Sequence, residues 1–161
     1  DPRDLHSFPT RRSSDLDSSA NMLYFHQLLA LVDERPDFTL LIGPEQLLAE
    51  AVLLGCHGGI CGGANLLPRL YVDLYEAACA KDVGRIESLR KAVTRVHATI
   101  YSVGQFESSF IKGLKCALSW LGICDDFLAE PFHRFREPQR SQVRAHMEEL
   151  GILGGRSALY R

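Results

Sequence analysis

No run of this sequence is apolar for long enough to cross a bilayer. The two most apolar stretches, Met22–Val32 and Glu45–Gly55, both carry polar residues. Both fall well short of the ~20 residues a hydrocarbon core demands, so no membrane partner is expected. An excess of charge is missing too. The chain has 18 Lys and Arg against 20 Asp and Glu, a formal charge of −2 and a pI near 6.3, which offers no electrostatic basis for holding nucleic acid. No methionine precedes Met22, and no charged-then-apolar leader is visible. Five cysteines are an odd number. Without a leader, that predicts reduced thiols and a cytoplasmic setting. What is present suffices for one core: 46% of the 161 residues are hydrophobic and 24% charged, the balance of an ordinary globular domain.

Chemical motifs are equally sparse. Cys56-His57 and Cys61 lack a second pair at the spacing a structural zinc site requires, so no metal is expected. Cys79, Cys116 and Cys124 fall on predicted helices or a helix end and read as ordinary buried thiols. The run from Gly58 to Gly63 matches neither phosphate-loop nor dinucleotide patterns, so no nucleotide cofactor is expected. Its missing side chains instead suit close approach by a ligand or another backbone. There is no Gly-x-Ser-x-Gly elbow, and His26, His57, His97, His133 and His146 lack recognisable catalytic partners. The four lysines, Lys81, Lys91, Lys112 and Lys115, all follow the last predicted strand. An active-site amine of an α/β fold belongs at a strand's carboxyl end. The arginines from Arg85 to Arg144 read as solvated faces or subunit contacts.

The hydrophobic pattern predicts α/β architecture in which helices dominate. Residues 22–32 follow a helical face, with Ser18 and Ser19 as candidate caps and Pro36 beyond the end. Phe38–Ile42 is a short apolar run closed by Gly43-Pro44, the pattern of a strand buried on both faces. Glu45–Leu54 predicts a helix and Gly58–Cys61 a second strand, parallel to the first, completing a right-handed β-α-β unit. Four helices are then predicted. The first is capped by Asn65 with Pro68 in its first turn, and the second spans Val83–Val103 behind Asp82. The third opens at Ser108 or Ser109, and the fourth has Pro138 as its first residue. Two strands make a poor sheet, so the chain reads as the end of something larger.

Residues 1–16 show no periodicity, and His6–Leu16 (HSFPTRRSSDL) matches one translated frame of a common sequencing adapter. This segment is expected to be foreign and disordered, and Arg11 and Arg12 are not a binding patch. The expected organisation is therefore a foreign tail (1–16), two terminal β/α units (17–65), a helical region (66–153) and a short tail (154–161).

Three stretches then combine: DSSAN (Asp17–Asn21), FTLLIGPEQ (Phe38–Gln46) and GCHGGICGGANLLPRLYVDLYEAA (Gly55–Ala78). Together they resemble the C-terminal half of the dihydrodipicolinate synthase / N-acetylneuraminate lyase family, Schiff-base aldolases on a (β/α)8 TIM barrel with a C-terminal helical extension. The resemblance covers residues 17 to about 153. It implies a lysine nucleophile immediately before the DSSAN motif, at the end of the sixth strand, where this chain has Leu16. It further implies substrate contacts at Ser18, Gly43, Glu45, Gln46, Ile60 and Gly62. Gly62 replaces a serine that binds substrate in the sialic acid lyases, and Ala20 replaces a glycine.

A relay tyrosine and a carboxylate-binding loop, both upstream in the family, have no counterpart in these residues. The resemblance implies an intact parent that joins or cleaves pyruvate, a 2-keto acid, and an aldehyde, often as a cytoplasmic tetramer. This chain alone is expected to be inactive. A non-catalytic helical interaction module is the alternative.

Overall fold

The computed structural model describes residues 13–154. Three parallel strands form one sheet in the order β1-β2-β3: β1 is Ser14–Asp17, β2 is Thr39–Ile42 and β3 is Gly58–Gly59. Six α-helices accompany them: α1 (Met22–Glu34), α2 (Leu48–Leu53), α3 (Pro68–Cys79), α4 (Val83–Thr99), α5 (Ser109–Trp120) and α6 (Glu137–Glu149). Short 3-10 turns at Glu45–Leu47 and Gly62–Asn65 lead into α2 and α3.

The predicted parallel pair is present, bridged by α2, with Leu41 beside Gly58 and Ile42 beside Gly59. The sheet nonetheless has one strand more than expected. Ser14–Leu16, from the segment expected to be disordered, lies within β1 and pairs with β2 so that Leu16 stands beside Leu41. Thr39 N donates to Ser13 O at 2.8 Å, and Gly43 N donates to Asp17 O at 2.7 Å. Strand pairing uses backbone groups, which every residue but proline supplies in full. A segment without strand periodicity can therefore complete the ladder. The expectations for residues 1–12 and for the chain beyond Gly154 lie outside the described residues.

Several boundaries move for local reasons. Asn21, not Ser18 or Ser19, caps α1: its side chain accepts from Leu23 N at 3.0 Å and Tyr24 N at 3.2 Å. Asn65 does not cap α3, because its amide donates to Gly62 O at 2.9 Å and closes the preceding turn. Asp82 caps α4 as expected, accepting from Arg85 N at 3.0 Å. That helix stops at Thr99 instead of Val103, and α5 crosses just beyond its end. A side chain at Gly113 would overlap the Ile100 carbonyl there. Pro138 lies in the first turn of α6, behind Glu137. The cysteines are all free, but Cys79 and Cys124 are exposed, contrary to the expectation of buried thiols.

The core is continuous. Phe25, Leu40 and Ile42 from the sheet layer join Leu66, Leu67, Leu70 and Leu74 near α3, then Val93, Val96 and Ile100 of α4. Met147 and Ile152 extend it at α6. No helix among the described residues is long and apolar enough to cross a membrane.

Candidate functional site

The carboxyl ends of the three strands create one rim. Parallel pairing puts Asp17, Ile42 and Gly59 in one row, so the residues that follow each strand emerge side by side. Ser18 follows β1 and Gly43 follows β2. A Cβ at Gly43 would overlap the Ser18 hydroxyl and lie 3.1 Å from its Cβ, so these two predicted residues are packed together. Ile60 follows β3, tied by its N–H to Ile42 O at 3.0 Å while its side chain stays 59% exposed. Leu16 lies one residue inside the same rim, on the outer strand, with 39% of its surface exposed. Ser18, Gly43, Ile60 and Leu16 are thus brought to one edge of the sheet.

Asp17 organises the turn beneath them. Its Oδ1 accepts from Ser19 N at 2.9 Å, while its Oδ2 is buried without a partner. Ala20 then adopts a φ of +56°, a left-handed conformation that costs an L-residue about 1 kcal/mol relative to glycine.

Glu45 and Gly62 stand in a different environment. Glu45 is 3% exposed. Its Oε1 accepts from the Tyr71 hydroxyl at 2.6 Å and its Oε2 from Gly63 N at 2.7 Å. Both carboxylate oxygens are therefore occupied by the protein, joining the turn after β2 to the turn after β3 and to α3. Gln46 lies half-buried in the same turn. Gly62 lies under α5, where a Cβ would come within 2.6 Å of Phe110 Cζ. A serine at this position would require the Phe110 ring to move.

Around Glu45 the structure gathers residues that the sequence did not single out. A side chain at Gly63 would overlap the Tyr71 hydroxyl and lie 2.8 Å from that of Tyr101. The Tyr101 hydroxyl is buried without a hydrogen-bond partner. Burial pushes the Glu45 carboxyl above its ordinary value, against the opposing pull of the Tyr71 hydroxyl and the Gly63 N–H. Burial, reinforced by the Glu45 charge, pushes the Cys61 thiol up to about 12. Burial also raises both tyrosine phenols. The thiol and both phenols are thus held protonated near neutrality, so the cluster supplies no thiolate or phenolate nucleophile. Its chemistry is that of a buried acceptor pinning two turns. Tyr71 lies on α3, 26 residues from Glu45, a separation that no local pattern in the sequence reports.

No lysine reaches the strand ends. Lys91 pairs with Glu87 at 2.7 Å, Lys81 lies at the α3–α4 corner, and Lys112 and Lys115 are on α5. His57 Nδ1 accepts from Leu40 N at 3.1 Å, an internal use. Among the described residues no three His, Cys, Asp or Glu side chains converge as a metal site.

Comparison with known proteins accounts for this arrangement. Residues 17–150 match the model of the dihydrodipicolinate synthetase family. A DapA-like lyase of Halobacterium salinarum is 31% identical over 137 residues, which is 85% of this chain and 42% of that protein. The structure of dihydrodipicolinate synthase from Bacteroides thetaiotaomicron superimposes with a TM-score of 0.82 at 49% identity, over 85% of this chain and 46% of that one. YagE of Escherichia coli, solved in complex with pyruvate, shares the fold with a TM-score of 0.74 at 20% identity, over 86% of this chain and 46% of that one. The chain thus spans less than half the length of these relatives, with a helix-rich α/β structure that matches part of a TIM barrel. A three-stranded parallel sheet with its strand-end rim, followed by the long helices of the extension, is what remains when such a barrel is represented by its last strands, and the chain belongs to the dihydrodipicolinate synthetase family.

Proposed function

We propose that this chain is the C-terminal part of a carbon–carbon lyase whose intact parent binds pyruvate as a lysine Schiff base, and that the chain alone is inactive. The parent would join that 2-keto acid to an aldehyde, or release it from one, as a cytoplasmic tetramer. Binding of pyruvate by YagE supports the substrate class. The observation that carries the proposal is Leu16, at the strand-end position where the family's nucleophile belongs, beside Leu41 of β2. The foreign segment supplies backbone for the missing sixth strand and so preserves the ladder. It does not supply the amine. Iminium formation needs a nucleophilic nitrogen in a desolvated pocket, and a leucine side chain offers none.

On this proposal Ser18, Gly43 and Ile60 face the keto acid and its partner in the parent. Gln46 meets the distal part of the substrate, and Glu45 holds the rim in place. A groove of about 430 Å³ along β3, lined by Leu41, Leu48, Cys61, Tyr71 and Tyr75, fits the reading of a sheet that continues in the parent. The test is borohydride reduction of the chain with pyruvate, read by intact mass. No adduct is expected, and Leu16→Lys alone should not restore turnover, because residues that act as a unit do not contribute singly. A stoichiometric adduct on one lysine of the unaltered chain would overturn the proposal. Reading codon 16 of the natural gene tests the parent's identity separately, and a lysine codon is expected.

A further inference from the structure

Away from the strand ends, a cavity of about 390 Å³ opens between the α4–α5 connection, the start of α5 and the segment entering α6. Lys112, His133, Arg134 and Arg136 all line it, and no carboxylate does. Glu107 lines the neighbouring cavity instead. Lys112 and Arg136 pair with no carboxylate among the described residues, and Arg134 only approaches Asp126, at 3.7 Å. Asp126 has its close partner in Arg140. The chain as a whole is slightly acidic, so this concentration of positive charge is local. Cations brought together without counter-charge repel one another, and an anion among them relieves that repulsion.

The polar lining fits the same occupant. Ser108, at the start of α5, makes no side-chain cap bond, and the first turn of that helix contains no acid. Ser109 N and Phe110 N already donate to Phe106 O and Glu107 O, but with no acid in that turn the positive end of the helix is left uncompensated and favours an oxyanion. Gln139 also lines the cavity, and its side-chain amide carries an NH2 donor. Phe106 and Phe135 add an apolar wall.

We propose that this cavity binds a phosphate group, free or as the ester of a short polyol. Guanidinium groups match phosphate oxygens in pairs, and the lysine adds a point charge. The cavity lies outside the strand-end rim and is independent of the lyase proposal.

The test is equilibrium dialysis of the 161-residue chain against labelled inorganic phosphate and, separately, glycerol 3-phosphate, in chloride at constant ionic strength. Dialysis reads uptake whatever the chain's association state. Saturable uptake of one equivalent per chain is expected, weakened at least about tenfold in Lys112→Gln/Arg136→Gln. Arg136→Glu alone, at an exposed position, should also lose uptake. Arg69→Gln, away from the cavity, should leave it unchanged. Tighter uptake of glycerol 3-phosphate than of phosphate identifies an ester as the occupant, and equal uptake identifies the free ion. Uptake of both ligands that does not saturate, or that persists unchanged in the two cavity variants, overturns the proposal.

Discussion

The sheet layer and the helical region of this molecule solve the same burial problem with different completeness. In α3 and α4, Leu70, Leu74, Val93 and Val96 are buried to 1% exposure or less. In α1, packed on the sheet, only Phe25 is buried, while Leu23 and Leu31 stand 79% and 58% exposed. Among the described residues, β1 and β3 each pair on one side only. The physical difference is where hydrogen bonds close. A helix satisfies its backbone within itself and needs one apolar stripe covered, whereas a strand needs neighbours on both edges. The helical region therefore has a covered core, while the sheet is covered only in part among the described residues.

Single and paired substitutions would break or sharpen that contrast. The largest effect is expected from Gly113→Ala, because the new Cβ meets the Ile100 carbonyl, backbone that cannot swing aside. A loss of about 3 kcal/mol is expected in urea unfolding. Leu74→Ala should cost a similar ~3 kcal/mol through its cavity, while Leu31→Ala on the exposed face of α1 should stay within ~0.5 kcal/mol. Equal losses at Leu74 and Leu31 would erase the distinction between the regions.

The next effect concerns association. Open strand edges and exposed Leu23 and Leu31 should make the chain self-associate and bind a hydrophobic dye. Leu23→Lys/Leu31→Glu should reduce both, as read by light scattering and dye fluorescence. A sharply melting monomer without dye binding would contradict this.

Ala20→Gly should stabilise the chain by about 1 kcal/mol, because a left-handed φ suits glycine. The gain should appear as a raised urea midpoint at unchanged slope.

Glu45 provides the pH test. Its carboxyl is raised, so the folded chain holds a proton that the unfolded chain releases near the ordinary value of 4.5. Stability should therefore decline as pH rises from that value through the raised folded one. Glu45→Gln should remove this slope while retaining an acceptor for Gly63 N or Tyr71. An unchanged slope in the variant would remove Glu45 as its cause. At the small end, Asp37→Asn breaks the Arg35–Asp37 pair, which lowers the carboxyl of Asp37 chiefly by hydrogen bonding. That pair is exposed to solvent, and no resolvable change in melting temperature is expected.

Much of the architecture was legible because its signals are local. Phe38–Ile42 reads as a buried strand from its apolar run, Asp82 as a cap from its place before a helical face, and the β-α-β unit from its connection length. The third strand was not legible. Ser14–Leu16 has no strand pattern, and it is held by a partner strand that begins 25 residues later in sequence. Of the candidate site residues, Ser18, Gly43 and Ile60 share the strand-end rim, while Glu45 turns inward to Tyr71 and Gly63. That buried cluster and the cationic cavity join residues from separate helices and turns, and no spacing along the chain announces them.

By itself, the amino-acid sequence determined the parallel pair, the succession of helices and that residue 16 is a leucine. These depend on periodicity, on helix and strand boundaries, and on which side chain occupies one position. Only the tertiary structure decided that Ser14–Leu16 completes a strand, that Glu45 serves the fold from within, and that Lys112, Arg134 and Arg136 face one cavity. The reason is physical. Backbone pairing accepts almost any side chain, and burial and charge convergence are properties of contacts between distant segments.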